Sequence, residues 1–241
     1  MDKRRKRSRR HHVSTGAQNQ GKQGFLRIDT VYQGSTTKGD GLYHINVVDE
    51  VTQYEFNASV SYINEFYMEP LLIKLIDLFP FKIMNFHSDN GSEYINVMVN
   101  ELLTKLFIKQ TKSRLRRSTD NGLIETKNAQ VIRKFIPRGF ISKDKSEIMN
   151  VFFFDTFHEF VNFHRVSMYP TTMVDKNGKK KVSYPECKTP YQKFISLPDY
   201  EQYLKPGITA ESLSTIFYKE NHIQFLKGFS KKHEGLLAKI Y

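Results

Sequence analysis

The chain has 241 residues, a mass of 28.3 kDa and a formal net charge of +12, with 39% hydrophobic and 13% aromatic residues. That supply of buriable side chains excludes wholesale disorder, no apolar run reaches the ~18 residues of a spanning helix, and no apolar stretch follows the basic N-terminus to make a secretory signal. The single cysteine, Cys187, excludes a disulfide framework and a Cys/His zinc knuckle within the chain, which leaves a basic protein, expected to be soluble and cytoplasmic, whose charge points to a polyanion such as nucleic acid.

The charge is uneven. Residues 1–12, MDKRRKRSRRHH, carry seven Lys or Arg and one Asp, half of the net excess. Up to residue 24 the chain is polar with almost nothing to bury, so 1–24 reads as a disordered basic arm suited to DNA backbone contact. FLRIDTVYQ (25–33), LYHINVVDE (42–50) and TQYEFNASV (52–60) are rich in β-formers and joined by short polar turns, which predicts an antiparallel meander. Ile63, Phe66, Leu71, Leu72, Leu75, Ile76 and Phe79 fall at helical spacing over 61–79, with Pro70 kinking the helix or opening its main segment. FKIMNF (81–86) predicts a strand, 94–106 a helix, LFIKQ (106–110) a strand, and 121–136 a helix behind a basic loop. A strongly amphipathic helix is expected over 146–168, stopped by Pro170, with Cys187 in a polar loop beyond it. The order βββ-α-β-α-β-α-α predicts an α/β fold, a mixed sheet with helices on both faces. Residues 25–204 read as the main domain and 205–241 as a short C-terminal helical extension.

Three carboxylates stand out by location. Asp29 lies inside the first strand between Ile28 and Thr30, where an unpaired charge costs several kcal/mol to desolvate. Asp89 follows the fourth strand in HSDNGSEY, and strand tips of α/β sheets are where ligand sites collect. Glu125 sits in the first turn of the helix beginning DNGLIETKN, at the edge of an apolar stripe formed by Ile124, Asn128, Val131, Ile132 and Phe135. Between Asp89 and Glu125 lie 35 residues.

With these motifs the chain resembles the integrase catalytic core shared by retroviral integrases and many bacterial insertion-sequence transposases, the D,D-35-E group. VIRKF (131–135), NFHR (162–165) and KTPYQK (188–193) extend the likeness from Phe25 to Leu204, about three quarters of the chain. The resemblance implies an RNase H-like fold, a mixed five-stranded sheet flanked by helices, and divalent-metal chemistry on DNA phosphodiesters. It implies Asp29, Asp89 and Glu125 as catalytic residues and as ligands of two Mg²⁺ (or Mn²⁺) ions, with Asp29 bridging. Hard oxygen ligands suit Mg²⁺, and two such ions can serve the attacking and the leaving oxygen of an in-line displacement. Water as nucleophile nicks an element end, and the freed 3′-hydroxyl as nucleophile joins it to a target. Joining two ends implies at least two copies, hence a homo-oligomer on DNA, with mobile-element ends and target DNA as partners and no membrane.

Around the Glu125 helix the basic residues Lys112, Arg114, Arg116, Arg117, Lys127, Arg133 and Lys134 predict a DNA-tracking face. On a regular helix Lys127 and Lys134 point away from the apolar stripe. Asp49 reads as a turn residue, His87 as strand-end packing, and His158 and His164 as satisfied histidines. Two alternatives remain. An RNase H-type nuclease would draw a further carboxylate from the first helix, Glu65 or Glu69. A degenerate DNA-binding remnant would keep the fold and charge without the reaction.

Overall fold

Alternation along the first three strands decides how the sheet is covered. The computed structural model describes residues 19–35, 39–88, 101–104, 108–112, 122–174 and 178–241. β1 (Phe25–Gln33), β2 (Leu42–Asp49) and β3 (Glu55–Val60) form the expected antiparallel meander. β4 (Asn85–Ser88) runs parallel to β1 on its other side, and β5 (Lys109–Lys112) parallel to β4. The sheet order is β3-β2-β1-β4-β5. Because side chains alternate along a strand, one face presents Leu26, Ile28, Ile45, Val47, Phe56, Ala58 and Val60, all buried. Helix α1 (Glu65–Leu78) packs Met68, Leu72, Leu75 and Ile76 onto them. Pro70 lies inside α1 without ending it, four residues after Phe66, to whose carbonyl it has no N–H to donate.

The opposite face is largely polar and, apart from half-buried Asp29, buried as well. It carries Arg27, Asp29 and Gln33 from β1, His44 and Asn46 from β2, and Glu55, Asn57 and Ser59 from β3. Two long helical runs cover it. The first, α2 (residues 122–135), is an α-turn over Gly122–Lys127, a π segment over Asn128–Ile132 and a last turn at Arg133–Phe135. The second, α3 (residues 146–164), starts as Ser146–Phe152 and contains π segments at Phe153–Phe157 and Phe160–His164. Three side chains of α3 reach the outer edge of β3. Asn150 Oδ1 accepts from Ser59 N at 2.6 Å while its Nδ2 donates to Ser59 O at 2.9 Å. Asn162 does the same for Glu55, at 2.8 and 2.9 Å. Between them His158 Nε2 stands 2.9 Å from Asn57 N and 2.8 Å from Asn57 O, and a neutral ring serves one of these at a time.

Four expectations are corrected here. The strand expected over 81–86 is shifted to Asn85–Ser88, and Phe81 makes only a single bridge to Leu204. The strand expected over 106–110 runs instead over Lys109–Lys112. Helix α3 ends before Pro170, which lies inside a strand: β6 (Ser167–Val174) and β7 (Lys180–Lys188) form a separate antiparallel ribbon, and Cys187 is in β7 rather than in a loop. The helix expected over 94–106 falls mostly outside the described residues, with 101–104 helical.

The chain end is built into the core. After α4 (Pro190–Ile195), helices α5 (Ala210–Phe217) and α6 (His222–Ile240) follow. Phe225, Phe229, Leu236 and Ile240 of α6 join Val131, Phe152, Phe153, Phe157 and Phe160 in a second apolar cluster, with Phe229 and Phe160 stacked at 4.2 Å. Residues 1–18 lie outside the described residues. Residues 19–24, expected to be unpacked, are held: Asn19 Nδ2 donates to Glu50, and Gly24 N donates to Asp49 at 2.7 Å. Gly24 has φ +92°, and a Cβ there would stand 2.4 Å from Lys82 O, so no other residue fits. No helix among the described residues is long and apolar enough to cross a membrane.

Candidate active site

The polar face of the sheet centres on one row. Register pairs Asp29 with Asn46 and Asn46 with Asn57, so three neighbouring strands place these side chains side by side. Asn57 Nδ2 donates to Asn46 Oδ1 at 2.9 Å, and Asn46 Nδ2 donates to Asn128 Oδ1 at 2.9 Å. Asn128 Nδ2 then donates to Asp29 Oδ2 at 2.6 Å. Asn57 donates into the row, and Asn46 and Asn128 each accept at the oxygen and donate at the nitrogen, so the chain has one direction and ends on the carboxylate. Asp29 Oδ1 accepts from Thr30 N at 2.7 Å. Asp29 is half-buried, its two oxygens held in a fixed orientation.

Asn128 opens the π segment of α2, and π turns recur at functional sites. Glu125 stands three residues earlier on the same helix, in its first turn, and is exposed. The hydrogen bond from Asn128 to Asp29 ties the helix that bears Glu125 to β1. On the other side of β1, Ser88 of β4 pairs with Ile28, next to Asp29. Asp89 follows Ser88 in the sequence and lies outside the described residues. Among the described residues no group of three or more His, Cys, Asp or Glu is placed to hold a metal ion.

Of the seven basic residues expected on a DNA face, two have other employment. Lys127 is 4% exposed, against the expectation that it points away from the apolar stripe. Its Nζ stands 3.6 Å from Glu55 Oε2 and donates to Ser167 Oγ at 3.1 Å. Burial pushes the ammonium down to about 8 and raises the Glu55 carboxyl above its ordinary value, while each charge partly restores the other. The π segment explains part of the misreading, since a wider turn breaks the constant 100° step beyond Lys127. Arg133 is half-buried and clamps the end of β1, bonded to Gln33 Oε1 and, at 2.8 Å, to Tyr32 O. Lys134 is exposed. Lys112 lies in β5, and Arg114, Arg116 and Arg117 lie outside the described residues.

Asp49 is a turn residue, as expected. It is fully buried and accepts from the amides of Gly24, Phe25, Val51 and Thr52 and from the Thr52 hydroxyl. Desolvation nevertheless raises its carboxyl to about 6. His87 is buried, with Nδ1 2.8 Å from Thr111 Oγ1. Asn46, Asn57 and Asn128 were not anticipated as site residues. Their signal was available, because an asparagine inside each of two β-rich segments is as anomalous as the aspartate in the first.

No family model matches the chain, and no curated protein matches it. Among solved structures, the chain is similar to the catalytic core domain of BIV integrase, with a TM-score of 0.44 and 12% identity over 71% of this chain and 93% of that one. It is also similar to a chain of the simian T-cell lymphotropic virus intasome in complex with PP2A regulatory subunit B56 gamma, with a TM-score of 0.44 and 15% identity. That match covers 60% of this chain and half the length of the other.

Proposed function

We propose that the chain is the catalytic core of a DNA transposase or integrase, a polynucleotidyl transferase that cleaves phosphodiesters at mobile-element ends and joins them to a target. The observation that carries this reading is the hydrogen bond from Asn128 to Asp29. It joins a carboxylate on the central strand to the helix that bears Glu125, beside the parallel strand that leads into Asp89. The sequence motifs around all three residues support the same assignment.

Asp29, Asp89 and Glu125 would hold two Mg²⁺ or Mn²⁺ ions. When bound, such ions stabilise the charge on the attacking and leaving oxygens of an in-line displacement. The chain's own part is positional. The asparagine row keeps Asp29 in one rotamer, and the buried polar face beneath it keeps β1, β2 and α2 in fixed register. Lys134 offers a phosphate contact on the exposed side of α2. The reaction needs no covalent protein intermediate, so no nucleophilic side chain is required.

The test is a strand-transfer assay with the full chain, Mg²⁺ or Mn²⁺, and duplexes taken from the DNA flanking the coding region. Joined products are expected. Asp29→Asn, Asp89→Asn and Glu125→Gln should each lower product formation by roughly a hundredfold or more. A near wild-type rate in any one variant removes that residue from the site. Cleavage of an RNA–DNA hybrid with duplex DNA untouched would assign an RNase H-type nuclease instead. Duplex binding without any cleavage would assign a non-catalytic remnant.

A further inference from the structure

The β6–β7 ribbon is anchored at its root, and the described strand residues beyond the root are largely exposed. At the root, Tyr169 is buried and its hydroxyl donates to Thr52 O at 2.7 Å, and Gln53 Nε2 donates to Met168 O at 3.0 Å. Lys193 of α4 binds Glu186 at 2.7 Å, and Lys127 of α2 donates to Ser167. A shift in register between Tyr169 and Thr171 separates this root from the distal part. Beyond it the pairs are Thr171 with Ser183, Thr172 with Val182, Met173 with Lys181 and Val174 with Lys180. Successive pairs alternate faces. Met173 on one face is 54% exposed, and Val174 and Val182 on the other are 63% and 52% exposed. Among the described residues of the distal ribbon, Thr171, Thr172, Met173, Val174, Lys181 and Val182 are all exposed.

We infer that this ribbon is a DNA-docking arm that enters the major groove of a duplex. The inference rests on the proposed action on DNA and adds the element that grips it. Charge selects the occupant. Lys179, Lys180 and Lys181 follow one another at the distal start of β7, within a chain of net charge +12. A second copy would bring the same lysines against them, whereas a duplex brings phosphates. Size agrees. A two-stranded ribbon fits a groove about 12 Å wide. Four distal pairs at ~3.3 Å per residue reach ~13 Å past the register shift, enough to cross the groove depth of ~8.5 Å. The side chains agree as well. Met173, Val174 and Val182 offer apolar contact to thymine methyl groups, and Thr171 and Thr172 offer hydroxyls to base edges. The rigid root gives the arm a fixed direction, so the lysines set register on the duplex while the apolar and hydroxyl groups meet the bases.

The experiment compares the full wild-type chain with Lys179→Gln/Lys180→Gln/Lys181→Gln on a short duplex. Affinity is measured against salt, and guanine N7 protection is read by dimethyl sulfate. The slope of log K against log salt should fall in magnitude by about 2.7, three contacts at ~0.9 each, and the major-groove protection should disappear. Unchanged slope and protection in the variant would overturn the arm while leaving the action on DNA standing. A wild-type chain that binds no duplex at all would overturn the action on DNA itself, and the arm with it. Val174→Ser/Val182→Ser that dissolves a dimer without altering duplex affinity would assign the ribbon to a second copy and also overturn the inference.

Discussion

Asn128 donates a 2.6 Å hydrogen bond to Oδ2 of Asp29 across 99 residues of sequence, and is itself oriented by Asn46. A residue that fixes a ligand's rotamer acts through that ligand. Asn128→Ala should therefore lower metal-dependent cleavage by about 10–100-fold. It should also raise the Mn²⁺ concentration needed for half-maximal activity. Duplex affinity should not change. A loss of activity with an unaltered metal requirement would count against a positioning role.

The Lys127–Glu55 pair should be a stability element rather than a DNA contact. Removing one partner leaves the other charge buried. Lys127→Ala is expected to cost about 3–5 kcal/mol in denaturant unfolding, with the double substitution Lys127→Met/Glu55→Leu recovering much of the loss. A single substitution within ~0.5 kcal/mol of wild type would mean that water reaches the pair.

Arg133 and Lys134 are neighbours with opposite expected behaviour. Arg133 clamps Gln33 and Tyr32, whereas Lys134 is exposed. Arg133→Ala should lower thermal stability and barely move the salt slope of duplex binding. Lys134→Gln should lower the slope by about 0.9 and leave stability unchanged. Thermal melts and salt titrations of the two variants separate the roles.

Acid should unfold the protein through buried histidines. Burial pushes His44 and His158 down to about 3, so both stay neutral in the fold while the unfolded chain protonates them below about 6.5. The unfolded state then binds more protons, so stability is full above pH 6.5 and falls as pH drops toward 3. Each histidine contributes a slope of about 1.4 kcal/mol per pH unit inside that window. Asp49, raised to about 6, works in the opposite sense between its unfolded value and pH 6. His158→Gln should remove one proton's worth of slope between pH 4 and 6. An unchanged pH profile of melting temperature would show that His158 is not buried neutral.

How far the sequence reached depended on what kind of signal each element carried. The meander was legible because alternation and turn residues are local, and β1 emerged with its expected bounds, Phe25–Gln33. Asp29 was legible because a charge among β-formers is anomalous wherever the strand packs. Lys127 was not legible. Its side of the helix followed from a constant turn angle, and the angle changes at Asn128, where the π segment begins. The ribbon was missed although Asn177-Gly178 is a strong hairpin signal, because the lysines beside it hid the strand pattern. Pro170 was taken for a helix stop, yet the backbone had already left the helix at Arg165. The asparagine row was half legible, since Asn46 and Asn57 are anomalies among β-formers but their meeting with Asp29 lies in the register of three strands.

The edge of β3 sets a limit on how copies of this protein can assemble. Asn150 and Asn162 give the backbone of Ser59 and Glu55 the donor and acceptor that another strand would give, and His158 occupies Asn57 between them. No strand from a second molecule can be added there without first displacing α3 and the aromatic cluster beneath it. Copies of this protein therefore cannot associate by continuing the sheet past β3. The same plugging protects the chain from edge-to-edge aggregation at that strand.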